Sequence, residues 1–301
     1  MTFSEDVRRE LVGRQPSRAC CRDALLSGLI RGAGSIQVRG HGELAVVLEL
    51  ADPAAARLAF SIVRRRGADA EIVSFRERRL HRRNLVRLRL AGDRSLQLLH
   101  EVGVLSSTLA PLRTPPRRVV GKACCRGSFL RGWFVAAGSV SAPRRPAHLE
   151  LRAPDVEVAG MLCAIAAEDG FRLRPAARRA HAIAYTKRRE TIRDLLVHIG
   201  AQDAALSADE AEVMARTLER ANRLTNCDRA NLERTSTAAH RQREAIAMLD
   251  LDRLSPPLRE VAELRLKHPS SSLSELARAA QPPLTKSTVA RRMRAILALA
   301  S

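Results

Sequence analysis

The sequence predicts an α+β protein: a duplicated αββαββα domain followed by an all-α module. Three observations carry this expectation. The stretch CCRDALLSGLIRGAGSI at residues 20–36 recurs as CCRGSFLRGWFVAAGSV at 124–140, an offset of 104. After each copy, short β-branched runs alternate with amphipathic helical runs in the same order. Residues 253–301 then carry short helical patterns joined by a Pro-containing turn. The expected bounds are 1–200 for the duplicated domain, with repeats over about 20–105 and 124–202, then a helical linker at 203–252 and the all-α module at 253–301.

Within the first repeat, residues 20–32 read as a helix, with Leu25, Leu26, Leu29 and Ile30 clustered at helical spacing. Gly34 is expected to stop it, as glycine commonly does at a helix end. ELAVVLEL at 43–50 reads as a strand, and PAAARLAFSIVRRRG as an amphipathic helix stopped by Gly67. AEIVSF and LVRLRL follow as strands. In the second of these Val86, Leu88 and Leu90 face one side of a sheet while Arg87 and Arg89 face the other. RERRLHRRN between them is a densely basic hairpin tip, and DRSLQLLHEVGVL supplies the closing helix.

The second repeat follows the same order. AHLELRAPD at 147–155 resembles AVVLELADP at 45–53, His181 follows Arg178 and Arg179 as His81 follows Arg78 and Arg79, and LLVHIG at 195–200 matches LLHEVG at 98–103. Two copies make a duplicated domain rather than a solenoid. Gly28, Gly32 and Gly132 lie inside predicted helices. There they would remove bulk and let the two repeat helices pack backbone to backbone at a pseudo-two-fold seam. Helix capping alone accounts for Gly34 and Gly138 but not for Gly28 and Gly132.

The chain carries 52 Lys+Arg against 32 Asp+Glu, a formal net charge of +20. Such an excess favours a polyanionic partner, most simply nucleic acid, with a solvated basic surface as the plainer alternative. Residues 1–200 hold 36 basic and 19 acidic groups, 201–252 hold 7 and 10, and 253–301 hold 9 and 3. Two basic regions thus flank a slightly acidic connector, which suggests two modules facing nucleic acid.

The opening MTFSEDVRRE is charged and lacks a secretory apolar segment, and no run reaches the length of a membrane helix. A cytoplasmic, nucleoid-associated protein without membrane contact is expected. The cysteines are Cys20, Cys21, Cys124, Cys125, Cys163 and Cys227. Adjacent cysteines do not have zinc-finger spacing and no His sits at a partner distance, so small buried hydrophobes are expected in a reducing compartment, ahead of metal binding or redox sensing. No cofactor and no catalytic or metal-ligating residue is expected.

Residues 203–252 lack Gly and Pro and read as helix, interrupted near NRLTNCDRAN at 222–231, where Asn, Thr and Asp compete with helix. A helix docked on the first domain is the alternative to a linker. Beyond it, PPLREVAELRLKHP at 256–269 is a helix with Val261, Leu264 and Leu266 apolar, and Ser270–Ser272 offer an N-cap for LSELARAA. QPPLT is a turn. KSTVARRMRAILAL at 286–299 is a basic helix with Val289, Met293, Ile296 and Leu297 inward. This is the helix-turn-helix plan, with a longer turn than usual and a plain helical hairpin as its alternative. On that plan Thr285, Lys286, Ser287 and Thr288 sit at the recognition-helix N-terminus, Arg291 and Arg292 reach guanine edges or phosphates, and Arg294 contacts phosphate.

LSGLIRGAG at 26–34 and LRGWFVAAG at 130–138 resemble the LAGLIDADG motif of homing endonucleases. The resemblance implies a monomeric pseudo-symmetric fold whose two four-stranded sheets form a basic saddle on duplex DNA. In that family the acidic residue before the last Gly of each motif holds the divalent metals that cleave DNA. Here those positions are Ala33 and Ala137, and the earlier Asp of the motif is Arg31 or Val135. An alanine methyl cannot ligate Mg²⁺, which wants oxygen ligands, so nuclease activity needs a substitute such as Asp23. The saddle survives as charge: residues 64–94 hold 11 Arg and 4 acids, including Arg78, Arg79, Arg82, Arg83 and Arg87. Arg172, Arg174, Arg178, Arg179, Lys187, Arg188 and Arg189 are assigned to the matching hairpin of the second repeat.

The whole chain, with the paired Cys-Cys motifs, NRLTNCDRANLERT, AAHRQREAI and LTKSTVARRMR, resembles the WhiA family of bacterial sporulation and cell-division transcription regulators. That resemblance implies binding to double-stranded promoter DNA chiefly through the tail, without catalysis. It also implies a small iron–sulfur transcription regulator and RNA polymerase as partners. A metal-dependent endonuclease of the homing type is the alternative function, and a protein-binding role of the first domain is a third.

Overall fold

The computed structural model describes residues 2–38, 44–76 and 84–300. It divides into two units, Met1–Ala215 and Arg216–Ser301.

The first unit contains α1 (Phe3–Gly13), then the repeat α2 (Ala19–Ala33), β1 (Gly34–Val38), β2 (Leu44–Leu50), α3 (Pro53–Arg65), β3 (Ala70–Arg76), β4 (Asn84–Ala91) and α4 (Asp93–Glu101). A short α5 (Arg117–Val120) leads into the second repeat: α6 (Ala123–Ala137), β5 (Gly138–Val140), β6 (Leu149–Ala153), α7 (Val156–Ala167), β7 (Arg174–Ala177), β8 (Ala182–Thr186) and α8 (Arg189–Ile199). The two αββαββα halves have the predicted order. Each makes an antiparallel four-stranded sheet, ordered β1-β2-β4-β3 and β5-β6-β8-β7.

In β4, Val86, Leu88 and Leu90 are buried, while Arg87 is exposed and Arg89 half-buried on the other face. Pairing of Leu48 with Leu88 and of Val46 with Leu90 aligns the apolar rows of β2 and β4, so one register fills the core. In α2 every residue from 24 to 30 is buried. A helix buried all round is a central element, and α6 is buried in the same way.

α1 is not evident from the charged opening sequence. Thr2 and Glu5 form a capping box at its start, and Val7 and Leu11 are fully buried. Its far end is held by buried Arg131 of α6, whose Nε donates to the Leu11 carbonyl at 3.0 Å.

α9 (Gln202–Ala247) is one continuous helix, so the expected interruption at 222–231 does not occur. The polar residues there are absorbed by the helix itself. Thr225 donates its hydroxyl to the Ala221 carbonyl at 3.1 Å, and Arg229 pairs with Glu233 one turn on at 3.0 Å. The helix starts on the first unit, where Glu10 accepts the Asp203 and Ala204 amides, each at 2.9 Å. The unit division falls within it.

In the second unit a short 3₁₀ turn (Leu251–Arg253) precedes α10 (Pro256–Lys267), α11 (Leu273–Ala279) and α12 (Lys286–Leu299). Ser272 and Glu275 make a capping box on α11. Val261, Leu276, Val289, Met293 and Ile296 form the core. Leu266, one of the apolar residues of α10, is 43% exposed, whereas its neighbour Arg265 is 1% exposed. Arg265 donates to Gln242 Oε1 at 2.9 Å and to the His268 and Ser271 carbonyls at 3.2 and 2.5 Å, which satisfies its buried charge.

Candidate nucleic-acid interface and the seam between the repeats

The seam between α2 and α6 is built from glycine. A Cβ on Gly28 would overlap the Phe129 carbonyl oxygen and lie 2.9 Å from the Trp133 nitrogen; a Cβ on Gly132 would overlap the Leu25 carbonyl oxygen and lie 2.9 Å from the Leu29 nitrogen. The two sets are related by the 104-residue offset, as expected for a pseudo-two-fold. A Cβ on Gly32 would come within 2.8 Å of the Ala136 Cβ. Gly34 does close α2, but with an extended backbone, φ −90° and ψ 147°, rather than a left-handed one. Glycine is needed there because a side chain would strike the Ile30 carbonyl.

At the C-terminal ends of the two seam helices lie Ala33 and Ala137, both half-buried. Val135 is buried in the core. Arg31 donates to the Leu112 carbonyl at 2.7 Å and the Arg113 carbonyl at 2.9 Å, so it holds the segment joining the repeats. Burial pushes its pKa down to about 10. Asp23, the possible substitute carboxylate, pairs with Arg66 at 3.6 Å. It lies ten residues before Ala33, about 15 Å along the helix.

On the outward face of the first sheet Arg87 lies opposite Glu49 and bonds it at 2.6 Å, and Arg89 lies opposite Glu71 at 3.4 Å. These cross-strand pairs give the face charges of both signs. Arg78, Arg79, Arg82 and Arg83 lie outside the described residues. In the second sheet Arg178 and Arg179 are exposed at the β7–β8 tip, where the Arg178 amide donates to the His181 carbonyl at 2.8 Å. Lys187, Arg188 and Arg189 do not share that tip. They follow β8 at its far end, with Arg172 and Arg174 at the start of β7 beside them in register, since Arg174 faces Tyr185. Antiparallel pairing therefore splits the predicted basic hairpin into two exposed groups, and Arg189 is occupied by Glu212 at 3.2 Å.

In the second unit Thr285 is the N-cap of α12, accepting from the Thr288 amide at 3.2 Å. Its hydroxyl also bonds those of Ser287 and Thr288, both at 2.9 Å. Thr285, Lys286 and Ser287 are exposed and Thr288 is half-buried. The longer turn is tied to α11 by the Leu284 amide, which donates to the Ala277 carbonyl at 2.8 Å. Arg291 and Arg294 are exposed on the face opposite Val289, Met293 and Ile296. Arg292 turns aside and binds Glu260 of α10 at 2.8 Å, with its side chain 21% exposed.

Sequence reasoning missed the arginines that serve the fold, namely Arg31, Arg131, Arg265 and Arg126. Arg126 is buried against Asp169 at 3.0 Å and Glu168 at 3.1 Å, with His198 on the other Asp169 oxygen at 3.0 Å. It also missed a convergence of cysteines: the Sγ atoms of Cys20, Cys21, Cys124 and Cys125 all lie within 4.8 Å of one another. Spacing within one helix gives no sign of it, because the two pairs meet across the seam.

A duplicated, glycine-seamed LAGLIDADG-like body with a C-terminal helix-turn-helix domain is the class these features define. The WhiA N-terminal LAGLIDADG-like domain matches residues 19–105, the WhiA LAGLIDADG-like domain 126–217, and the WhiA C-terminal HTH domain 221–300. The chain belongs to the WhiA family. The probable cell division protein WhiA of Heliobacterium modesticaldum is 35% identical over 306 residues, covering 100% of this chain and 96% of that protein. That of Desulforudis audaxviator is 39% identical over 300 residues, covering 98% and 95%. Among solved structures, full-length WhiA from Thermotoga maritima is similar in fold, with a TM-score of 0.60 at 24% identity over 100% of this chain and 98% of that one. No helix among the described residues is long and apolar enough to cross a membrane.

Proposed function

We propose that the chain is a sequence-specific DNA-binding transcription regulator of sporulation and cell-division genes, and that it does not cut DNA. The exposed face of α12 carries this reading. Lys286 and Ser287 stand in its first turn, where amides without an intrahelical partner attract phosphate. Arg291 and Arg294 project from the polar face of the same helix, and an arginine there matches the paired acceptors of guanine. Arg292 is withdrawn from direct readout, because Glu260 holds it against α10. Thr285 and Thr288 shape the helix start rather than read bases. The exposed Arg178 and Arg179, with Arg78, Arg79, Arg82 and Arg83, supply phosphate contacts that add affinity without sequence information.

The absence of cutting rests on Ala33 and Ala137 at the ends of the seam helices, on Arg31 holding the joining segment, and on Asp23 facing Arg66. The small iron–sulfur regulator and RNA polymerase belong to this reading as partners, and the nucleoid as its place of action. Electrophoretic mobility shift with promoter fragments, run beside a plasmid-nicking assay in Mg²⁺, tests both halves. A retarded band that competes with specific DNA, with the plasmid intact, is the expected result. Chelator-sensitive nicking would restore the nuclease reading.

A further inference from the structure

Cys20 and Cys21 occupy the first turn of α2, and Cys124 and Cys125 the first turn of α6. The offset of 104 relates the pairs, so Cys20 matches Cys124 and Cys21 matches Cys125. The inner members are buried, Cys21 at 6% and Cys125 at 2% exposure, and the outer members are half-buried. All four are free thiols. Their Sγ atoms converge within 4.8 Å of one another, with Cys124 and Cys125 4.0 Å apart. Zinc–thiolate bonds of about 2.3 Å in a tetrahedron put sulfurs about 3.8 Å apart, so a contraction of about 1 Å or less closes a four-sulfur shell. A polynuclear iron–sulfur cluster spreads its thiolates over several irons and fits this tight group less well.

Two cations flank the sulfur cluster. Both helices begin without a side-chain cap, and the cysteines stand in the first turn, the end of a helix at which its dipole favours an anion. Each N-cap residue is a cation, Arg18 on α2 and Lys122 on α6, and the Arg18 guanidinium lies 3.9 Å from Cys124 Sγ. The neighbouring Cys21 and Cys125 thiols, followed by Arg18, hold Cys124 below the ordinary thiol range. Burial raises Cys21 and pushes Cys125 up to about 12.

We propose that Cys20, Cys21, Cys124 and Cys125 form a tetrathiolate site for a single thiophilic divalent cation, zinc by preference, which ties the two repeats together at the N-terminal end of the seam. Binding replaces four thiol protons, which pass to solvent, with one M²⁺ and four sulfur–metal bonds. The resulting complex carries a charge of −2, and Arg18 and Lys122 lie at the two helix starts to offset it. The site is separate from the position at which a homing endonuclease holds its metals. From Cys21 to Ala33 is twelve residues of helix, about 18 Å. It is also independent of whether the tail binds DNA.

The test is metal content and Co²⁺ substitution on the full-length protein, reduced and handled anaerobically. Wild type is expected to carry close to one equivalent of zinc. With Co²⁺ it should show visible bands of tetrahedral cobalt and a strong sulfur-to-cobalt charge-transfer band. The C163S/C227S variant should keep both signals. The C21S/C125S variant should lose the tetrathiolate spectrum and bind zinc at least 100-fold more weakly. If that variant fails to fold, the spectra of wild type and C163S/C227S decide. Reduced wild type that gives no thiolate–cobalt spectrum overturns the proposal. So does iron accompanied by inorganic sulfide, or a spectrum that survives in C21S/C125S.

Discussion

Gly28 and Gly132 show how much one missing methyl can decide. Each sits where a Cβ would meet the backbone of the opposite helix, and backbone in a packed core yields little. Gly28→Ala or Gly132→Ala is therefore expected to destabilise the first unit by roughly 1–3 kcal/mol through overpacking. Gly160, whose Cβ would meet nothing within 4 Å, should accept alanine without loss. Urea denaturation of the three variants checks this, and equal midpoints for all three would contradict it. At the same scale, Arg291→Ala and Arg292→Ala should separate. Loss of the exposed Arg291 should weaken specific DNA binding by roughly 1–3 kcal/mol if it reads a base. Loss of Arg292 breaks a half-buried pair with Glu260 and should appear first in thermal stability, with an effect near the surface-pair range of about 1 kcal/mol.

Among the elements, α9 is the test of what sequence can and cannot reveal. Its composition identifies helix, yet Asn222, Thr225, Asn226 and Asp228 suggest a break. Each costs only tenths of a kcal/mol inside a helix, and the Arg229–Glu233 pair one turn on offsets part of that. Nearly all side chains from 216 to 238 are exposed, so little tertiary packing protects this stretch. Its amides should exchange with solvent orders of magnitude faster than those of α2 and α6, as followed by hydrogen–deuterium exchange. Protection equal to that of the seam helices would contradict this picture. The strands and the αββαββα order were legible because apolar alternation in LVRLRL or LELRA reports directly on a half-buried sheet. α1 was not, since its two core residues, Val7 and Leu11, are sparse among charges. Nor was the inward turn of Arg265, because only its partners Gln242, His268 and Ser271 make its burial tolerable. The DNA-facing candidates were legible as charge, but not as geometry. Register alone assigns Arg87 to Glu49 and divides Arg178 and Arg179 from Lys187 and Arg188.

For the whole molecule, the two basic regions should contribute differently. Charge reversal of Arg178 and Arg179 together is expected to lower affinity for all duplexes alike and to reduce the slope of log affinity against log salt by about two. Changes on α12 should instead lower the ratio of specific to random binding. Removing residues 1–200 and measuring affinity for a bound promoter fragment tells whether the body touches DNA. A clear loss is expected, while unchanged affinity would turn the body toward a protein partner.

The proposal at the centre of this account is that the LAGLIDADG-like body holds DNA without cutting it while α12 reads sequence. Genome-wide mapping of bound sites, comparing wild type with Arg291→Ala, tests it most directly. Discrete promoter-proximal sites sharing one motif, lost or flattened in the variant, are the expected result. Enrichment at no discrete site, or an identical map for the variant, would contradict it.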